Sequence, residues 1–163
     1  MITSDIAKQI VLYGQQAPSA DNSQPWHFIW DGSLLSIQYD SPRVEGKTFL
    51  ANSPATLLSL GATIENIFYI SNSYGFSSNY SINFQDLSTT HAKAIINFQT
   101  TKKSTLSTTL EKHPVANRHT NRFPYQKNTL PKSATNHLEK LTKGSARLLL
   151  IEEKASINKT GEL

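Results

Sequence analysis

The stretch ANSPATLLSLGATIENIFYISNSYG, residues 51–75, decides the fold. Ser53 can cap a helix, Pro54 suits its first turn because the missing N–H has no partner there, and Gly75 supplies a stop. Between them Leu57, Leu58, Leu60, Ile64, Ile67, Phe68 and Ile70 cover more than one face. A helix patterned in this way is either the centre of the fold, buried on most sides, or an interface with another molecule.

Working outward, Ile6, Ile10, Val11 and Tyr13 recur at near-helical spacing behind Ser4 and Asp5, which predicts a helix from Asp5 to Gln16 ended by Pro18. Trp26 to Trp30 and Leu34 to Tyr39 are aromatic and β-branched runs joined around Asp31-Gly32. That pair predicts a type I′ hairpin, in which both central residues take positive φ. Downstream, Phe76 to Phe84 and Ala92 to Phe98 read as strands, and Thr105 to His113 as a short helix stopped by Pro114. Pro131 to Lys143 reads as a further helix with Gly144 at its C′ position, and Ala146 to Ile151 as a last strand. The order αββαββααβ predicts an α+β fold, a mixed or antiparallel sheet packed with helices.

A chain of 163 residues can hold one domain with a substantial core. It has no cysteine, so no disulfide framework, thiolate metal site or cysteine nucleophile is available. The N-terminus carries Asp5 and Lys8 within its apolar pattern and has neither a basic start nor a small-residue cleavage site. No window reaches the ~20 apolar residues of a membrane span. These features predict a cytoplasmic protein without a membrane partner.

The net charge of +4 is uneven: residues 1–92 hold 3 Lys and Arg against 7 Asp and Glu, and residues 93–163 hold 13 against 5. The basic half could meet an anionic ligand, nucleic acid or only water.

Phosphate-loop, dinucleotide-fingerprint, nucleophile-elbow and HExxH patterns are all missing from the sequence. The histidines, at 27, 91, 113, 119 and 137, do not fall four apart on any predicted helix, so no metal site is expected. Two segments remain. In APSADNSQPW, Ala17 to Trp26, the side chains of Ser19, Asn22, Ser23 and Gln24 could hydrogen-bond the rim of a planar heterocycle, or they could satisfy backbone groups at a helix end and turn. In RHTNRFPYQKNTLP, Arg118 to Pro131, the alternation of Arg118, Thr120 and Arg122 would send two guanidinium groups and a hydroxyl to one side of an extended backbone. That set suits a phosphate dianion, the alternative being two solvated arginines. Nucleic acid would need a longer basic stripe with aromatic residues interleaved, and is not expected.

Together the segments resemble the nitroreductase family of flavoproteins. Its members carry a loop like APSxxNSQPW running into a strand, then a helix like LLSLGATIENI, and a phosphate-binding Arg-x-Ser-x-Arg segment to which Arg118, Thr120 and Arg122 are similar, with Thr120 in the serine place. Here the arginine segment follows the loop instead of preceding it. That order resembles the tandem subfamily, some of whose members are linked to ThiF-like domains. The resemblance implies a first repeat in residues 1–113 and the truncated beginning of a second in 114–163.

It further implies FMN, contacted on its isoalloxazine side by Pro18, Ser19 and Asn22 and at its phosphate by Arg118, Thr120 and Arg122. NAD(P)H would be the electron donor, nitroaromatic or quinone-type compounds the acceptors, and the helix from Pro54 the interface of an intertwined homodimer. No catalytic side chain is assigned. The rival readings are a flavin-binding or flavin-sequestering protein with little turnover and a cofactor-free fragment.

Overall fold

The computed structural model describes residues 2–83, 93–101, 112–123, 128–141 and 148–149. The long helix is there with the termini its sequence predicts. It runs Pro54–Ser73; Ser53 caps it by accepting the Thr56 N–H at 3.2 Å, and Gly75 follows at φ 82°. We number the helices in chain order: α1 Ser4–Gly14, α2 Ser41–Val44, α3 Pro54–Ser73, α4 Pro114–Asn117 and α5 Lys132–Leu141. The strands are β1 Trp26–Trp30, β2 Leu34–Tyr39, β3 Phe76–Ile82 and β4 Ala94–Thr100.

The four strands form one antiparallel sheet in the order β1-β2-β4-β3. Leu35 and Ile37 of β2 stand opposite Ile96 and Ala94 of β4, and all four are essentially inaccessible. Because side chains alternate along a strand, these residues share one face of the sheet. Ile10 of α1 and Ile64, Ile67 and Ile70 of α3 belong to the same buried cluster. Each such side chain, fully removed from water, contributes on the order of 1.5–3 kcal/mol.

The buried side of α3 also carries Thr56, Ser59, Thr63 and Ser71. These hydroxyls are tolerated because they donate to carbonyls: Ser59 to Ala55 at 2.7 Å, Thr63 to Ser59 at 2.9 Å and Ser71 to Phe68 at 3.0 Å. Small side chains let neighbours come close, and a Cβ placed on Gly14 of α1 would lie 2.7 Å from Ile67 Cγ1.

Several sequence expectations need correction. The cap of α1 is Thr3, whose hydroxyl accepts the Ile6 N–H at 3.3 Å, and the helix ends at Gly14, short of the predicted Gln16. The hairpin is not type I′: of its turn residues only Gly32, at φ 99°, is left-handed. The Asp31 carboxylate takes over the turn by accepting the N–H groups of Ser33 at 2.8 Å and Leu34 at 2.7 Å. Pro114 opens α4 and so starts a helix where a stop was expected, consistent with proline's fit at a first helical position. The helix α3 buries one side only, for Leu58 is 76% and Tyr69 56% exposed.

Most of the predicted Thr105 to His113 helix and Ala146 to Ile151 strand, with Gly144, lies outside the described residues. The chain divides into two compact units, Met1–Asn121 and Arg122–Leu163. The first holds the sheet with α1 to α4; the second contains α5.

Candidate functional site

The loop after α1 is unusual in its backbone. Asp21, Asn22 and Gln24 have φ of 48°, 56° and 44°, a left-handed conformation that costs side-chain-bearing residues free energy and persists only where surroundings enforce it. The restraints are visible. Ser19 Oγ accepts the Gln24 N–H at 3.0 Å, the Asn22 N–H donates to the Ser19 carbonyl at 3.1 Å, and the Ser23 N–H donates to Ala20 at 2.9 Å. At the far end the Asp40 N–H donates to the Pro25 carbonyl at 2.9 Å. Arg43 of α2, paired with Asp40 at 2.9 Å, donates to the Ser23 carbonyl at 3.4 Å.

Ser19 is thus occupied as an acceptor, which is the structural role its sequence allowed. A serine hydroxyl still has its own proton to give. Pro18 and Asn22 are exposed. Among the described residues the Asn22 carboxamide has no protein partner.

The arginine segment reaches this loop. Arg118 Nε donates to the Gln16 carbonyl at 2.9 Å, across 102 positions of sequence. Gln16 lies just past the C-terminus of α1, where carbonyls lack intrahelical donors and a cation is favoured. Arg118 Nη1 lies 3.5 Å from Thr120 Oγ1, a long contact that leaves the two side chains neighbours on one side of the segment. The Nε bond uses one of the five guanidinium N–H groups. Arg118 and Thr120 are both exposed, and Arg122, also exposed, begins the second compact unit.

The segment owes its course to α4. Val115 is buried at 8% exposure and fastens the turn to the core. His113 caps it by accepting the Val115 N–H at Nδ1, 3.2 Å away.

Two open clefts of about 310 Å³ lie beside the loop. One is bounded by Asp21, Ser23, Arg43, Lys47 and Phe49, the other by Gln15, Gln24, Trp26, His27 and Asp40. Neither is lined by Ser19, Arg118 or Thr120; Ser19 is half-buried and the other two are exposed. Sequence reasoning missed the Gln16 carbonyl and His113. A backbone acceptor leaves no trace in residue type, but the pair His113-Pro114 ahead of the arginine segment was a readable cap signal.

Further from the loop, the Tyr39 hydroxyl donates to Asn52 Oδ1 at 2.7 Å and accepts the Asn52 N–H at 3.3 Å. This pins Asn52 at φ 61°, directly before the cap of α3. Burial holds the Tyr39 phenol above its ordinary pKa, and the Asn52 N–H partly opposes that shift. The Lys93 ammonium lies 5.3 Å from the centroid of the same ring. Among the described residues no group of three or more acidic or imidazole side chains could hold a metal ion, and no helix is long and apolar enough to cross a membrane.

The arrangement defines an α+β chain whose strained loop, after its first helix, is met by an arginine from far downstream. No family model matches the chain, and no curated protein matches it. Similar solved structures include a protein described as a nitroreductase in complex with FMN from Desulfovibrio desulfuricans, with 14% identity, TM-score 0.49, and 76% of this chain and 87% of that one covered. A protein described as an NADH oxidase from Clostridium acetobutylicum has 15% identity, TM-score 0.49, and covers 75% and 90%. An FMN-dependent nitroreductase from Clostridium difficile R20291 has 12% identity, TM-score 0.46, and covers 75% and 90%. At such identities and TM-scores no role passes from these proteins to a residue of this chain.

Proposed function

We propose that this chain binds FMN through its opening loop and arginine segment and acts as an NAD(P)H oxidoreductase of the nitroreductase kind, with nitroaromatic or quinone-type acceptors. The observation that carries the reading is the 2.9 Å hydrogen bond from Arg118 Nε to the Gln16 carbonyl, which holds the candidate phosphate group against the candidate ring-binding loop.

The donor set is chemically suited to a flavin nucleotide. A guanidinium with a hydroxyl beside it answers a phosphate, and a hydroxyl proton with an exposed carboxamide answers the polar rim of an isoalloxazine. Arg118 and Thr120 would hold the phosphate; Ser19 and Asn22 would orient the ring, with Pro18 as a rigid edge lacking an N–H. Arg122 stands in the proposal on the sequence alternation alone. When bound, the flavin supplies hydride chemistry, and the protein's part is to place it and leave one face open. The repeat organisation, residues 1–113 and 114–163, and a homodimer formed through α3 belong to the same proposal. The exposed Leu58 and Tyr69 favour the dimer.

The visible spectrum of the purified chain after incubation with FMN and desalting tests this reading. A retained yellow colour that bleaches with NADPH supports the oxidoreductase, and retained colour that does not respond supports a flavin binder without turnover. A colourless protein refutes both.

A further inference from the structure

The hydrogen bond that caps α4 depends on the protonation state of one ring. His113 Nδ1 accepts the Val115 N–H at 3.2 Å, and only a ring nitrogen with a lone pair can do so. In the charged imidazolium both nitrogens carry protons and the bond is lost. The rest of the turn hangs on the same residue: the His113 carbonyl accepts from the Ala116 N–H at 3.0 Å, the Asn117 N–H at 3.3 Å and Asn117 Nδ2 at 3.2 Å. A helix of four residues has no intrinsic stability, so its cap and the buried Val115 decide whether it forms. Its next residue is Arg118, whose backbone N–H closes on the Val115 carbonyl at 3.4 Å.

We propose that His113 is a positioning residue: its neutral imidazole, by capping α4, holds the turn that delivers Arg118 to the Gln16 carbonyl, and protonation of the ring loosens that delivery. The flavin consequence rests on the function proposed above; the structural one does not.

The surroundings of the ring agree. Tyr69 of α3 faces it edge-on with centroids 5.8 Å apart. Among the described residues the charged neighbours along its own segment are Lys112 and Arg118, both cations. Burial lowers the His113 pKa below the ordinary 6.5, which keeps the ring neutral near pH 7. The sign follows. The unfolded chain takes up the proton more readily than the fold, so the contribution of this group is intact above the ordinary value. It diminishes as pH falls from there toward the lowered folded value.

The test uses the full chain and its variants His113→Asn and His113→Ala. Asparagine keeps a capping oxygen that does not titrate in this range, and alanine removes the acceptor. NMR would follow the His113 ring, the exchange protection of the Val115 amide and the Arg118 Nε resonance between about pH 5 and 8, with FMN affinity measured at each pH. In the natural chain, Val115 protection should fall roughly fivefold along the His113 titration, with Arg118 Nε moving in step. FMN affinity should weaken in parallel. His113→Asn should flatten all three profiles, and His113→Ala should give low protection at every pH. Val115 protection that ignores the His113 titration, or a His113→Asn profile identical to the natural one, overturns the proposal, and this comparison decides even if His113→Ala does not fold. Should the chain bind no FMN at any pH, the flavin reading fails while the Val115 and Arg118 profiles still decide the role of His113.

Discussion

Asn22 and Ser19 form the closing bond of a turn in which the Asn22 N–H donates to the Ser19 carbonyl at 3.1 Å, and Asn22 itself sits at φ 56°. The left-handed backbone complicates any test of its side chain. Alanine there would remove the carboxamide and also strain the turn by on the order of 1–2 kcal/mol, whereas glycine removes the carboxamide without that strain. Asn22→Gly should therefore retain the natural urea midpoint and shift the reduction behaviour of bound flavin. Asn22→Ala should lose both, and a glycine variant with unaltered flavin behaviour would leave Asn22 a purely structural residue.

The approach of Gly14 to Ile67 predicts a stability defect. Gly14→Ala would place a methyl 2.7 Å from Ile67 Cγ1, closer than real Cβ atoms come to a neighbour. Overpacking of this kind costs about 1–3 kcal/mol, set against about 1 kcal/mol that alanine gains over glycine in a helix. A lowered urea midpoint with an unchanged slope is expected. A midpoint equal to or above that of the natural chain would show that the contact between α1 and α3 is looser than described.

Asp31 gives a pH prediction. Its carboxylate accepts the Leu34 and Ser33 N–H groups, and these two bonds hold its pKa below the ordinary 3.8. A group depressed in the fold contributes stability that is complete above the unfolded value and lost as pH falls through the folded one. Carbon-detected NMR should find the Asp31 midpoint below 3.8 in the natural chain. The acid limb of the stability profile should be shallower in Asp31→Ala. A midpoint at or above the ordinary value would remove the turn's electrostatic component.

Leu58 and Tyr69 lie three helical turns apart on one side of α3, 76% and 56% exposed, although the Tyr69 ring also meets His113. If two chains associate there, Leu58→Glu would bury an unpaired carboxylate and separate them. Sedimentation should give a dimer for the natural chain and a monomer for the variant. A natural chain that sediments as a monomer at every concentration tested would contradict the dimer.

The parts of the fold legible in the sequence were those set by neighbours in the chain. Ser53 and Pro54 announced the start of α3 because capping acts over three residues, and β1 and β2 were readable from their alternating aromatic and branched side chains. The hairpin turn was misread because the Asp31 side chain competes with the backbone geometry that the Asp-Gly pair suggests. Pro114 was misread because proline both ends one helix and begins another. At the site, the residue types of the loop and of the arginine segment were visible. Their meeting was not, because it runs through the Gln16 carbonyl, which every residue possesses, and through a separation of 102 positions. Nor did composition reveal the left-handed backbone of Asp21, Asn22 and Gln24, which is imposed by hydrogen bonds at Ser19 and Arg43.

The most direct measurement compares the affinities of the chain for FMN and for riboflavin, which differ only in the phosphate, in the natural protein and in Arg118→Ala, with Arg122→Ala alongside. A charge-assisted phosphate contact is worth ~1.5–3 kcal/mol, which is roughly a tenfold or greater preference. The account predicts that the natural chain prefers FMN by at least that factor and that Arg118→Ala abolishes most of the preference while riboflavin binding is unchanged. Equal affinity of the natural chain for the two flavins, or a preference that survives the loss of Arg118, would contradict it.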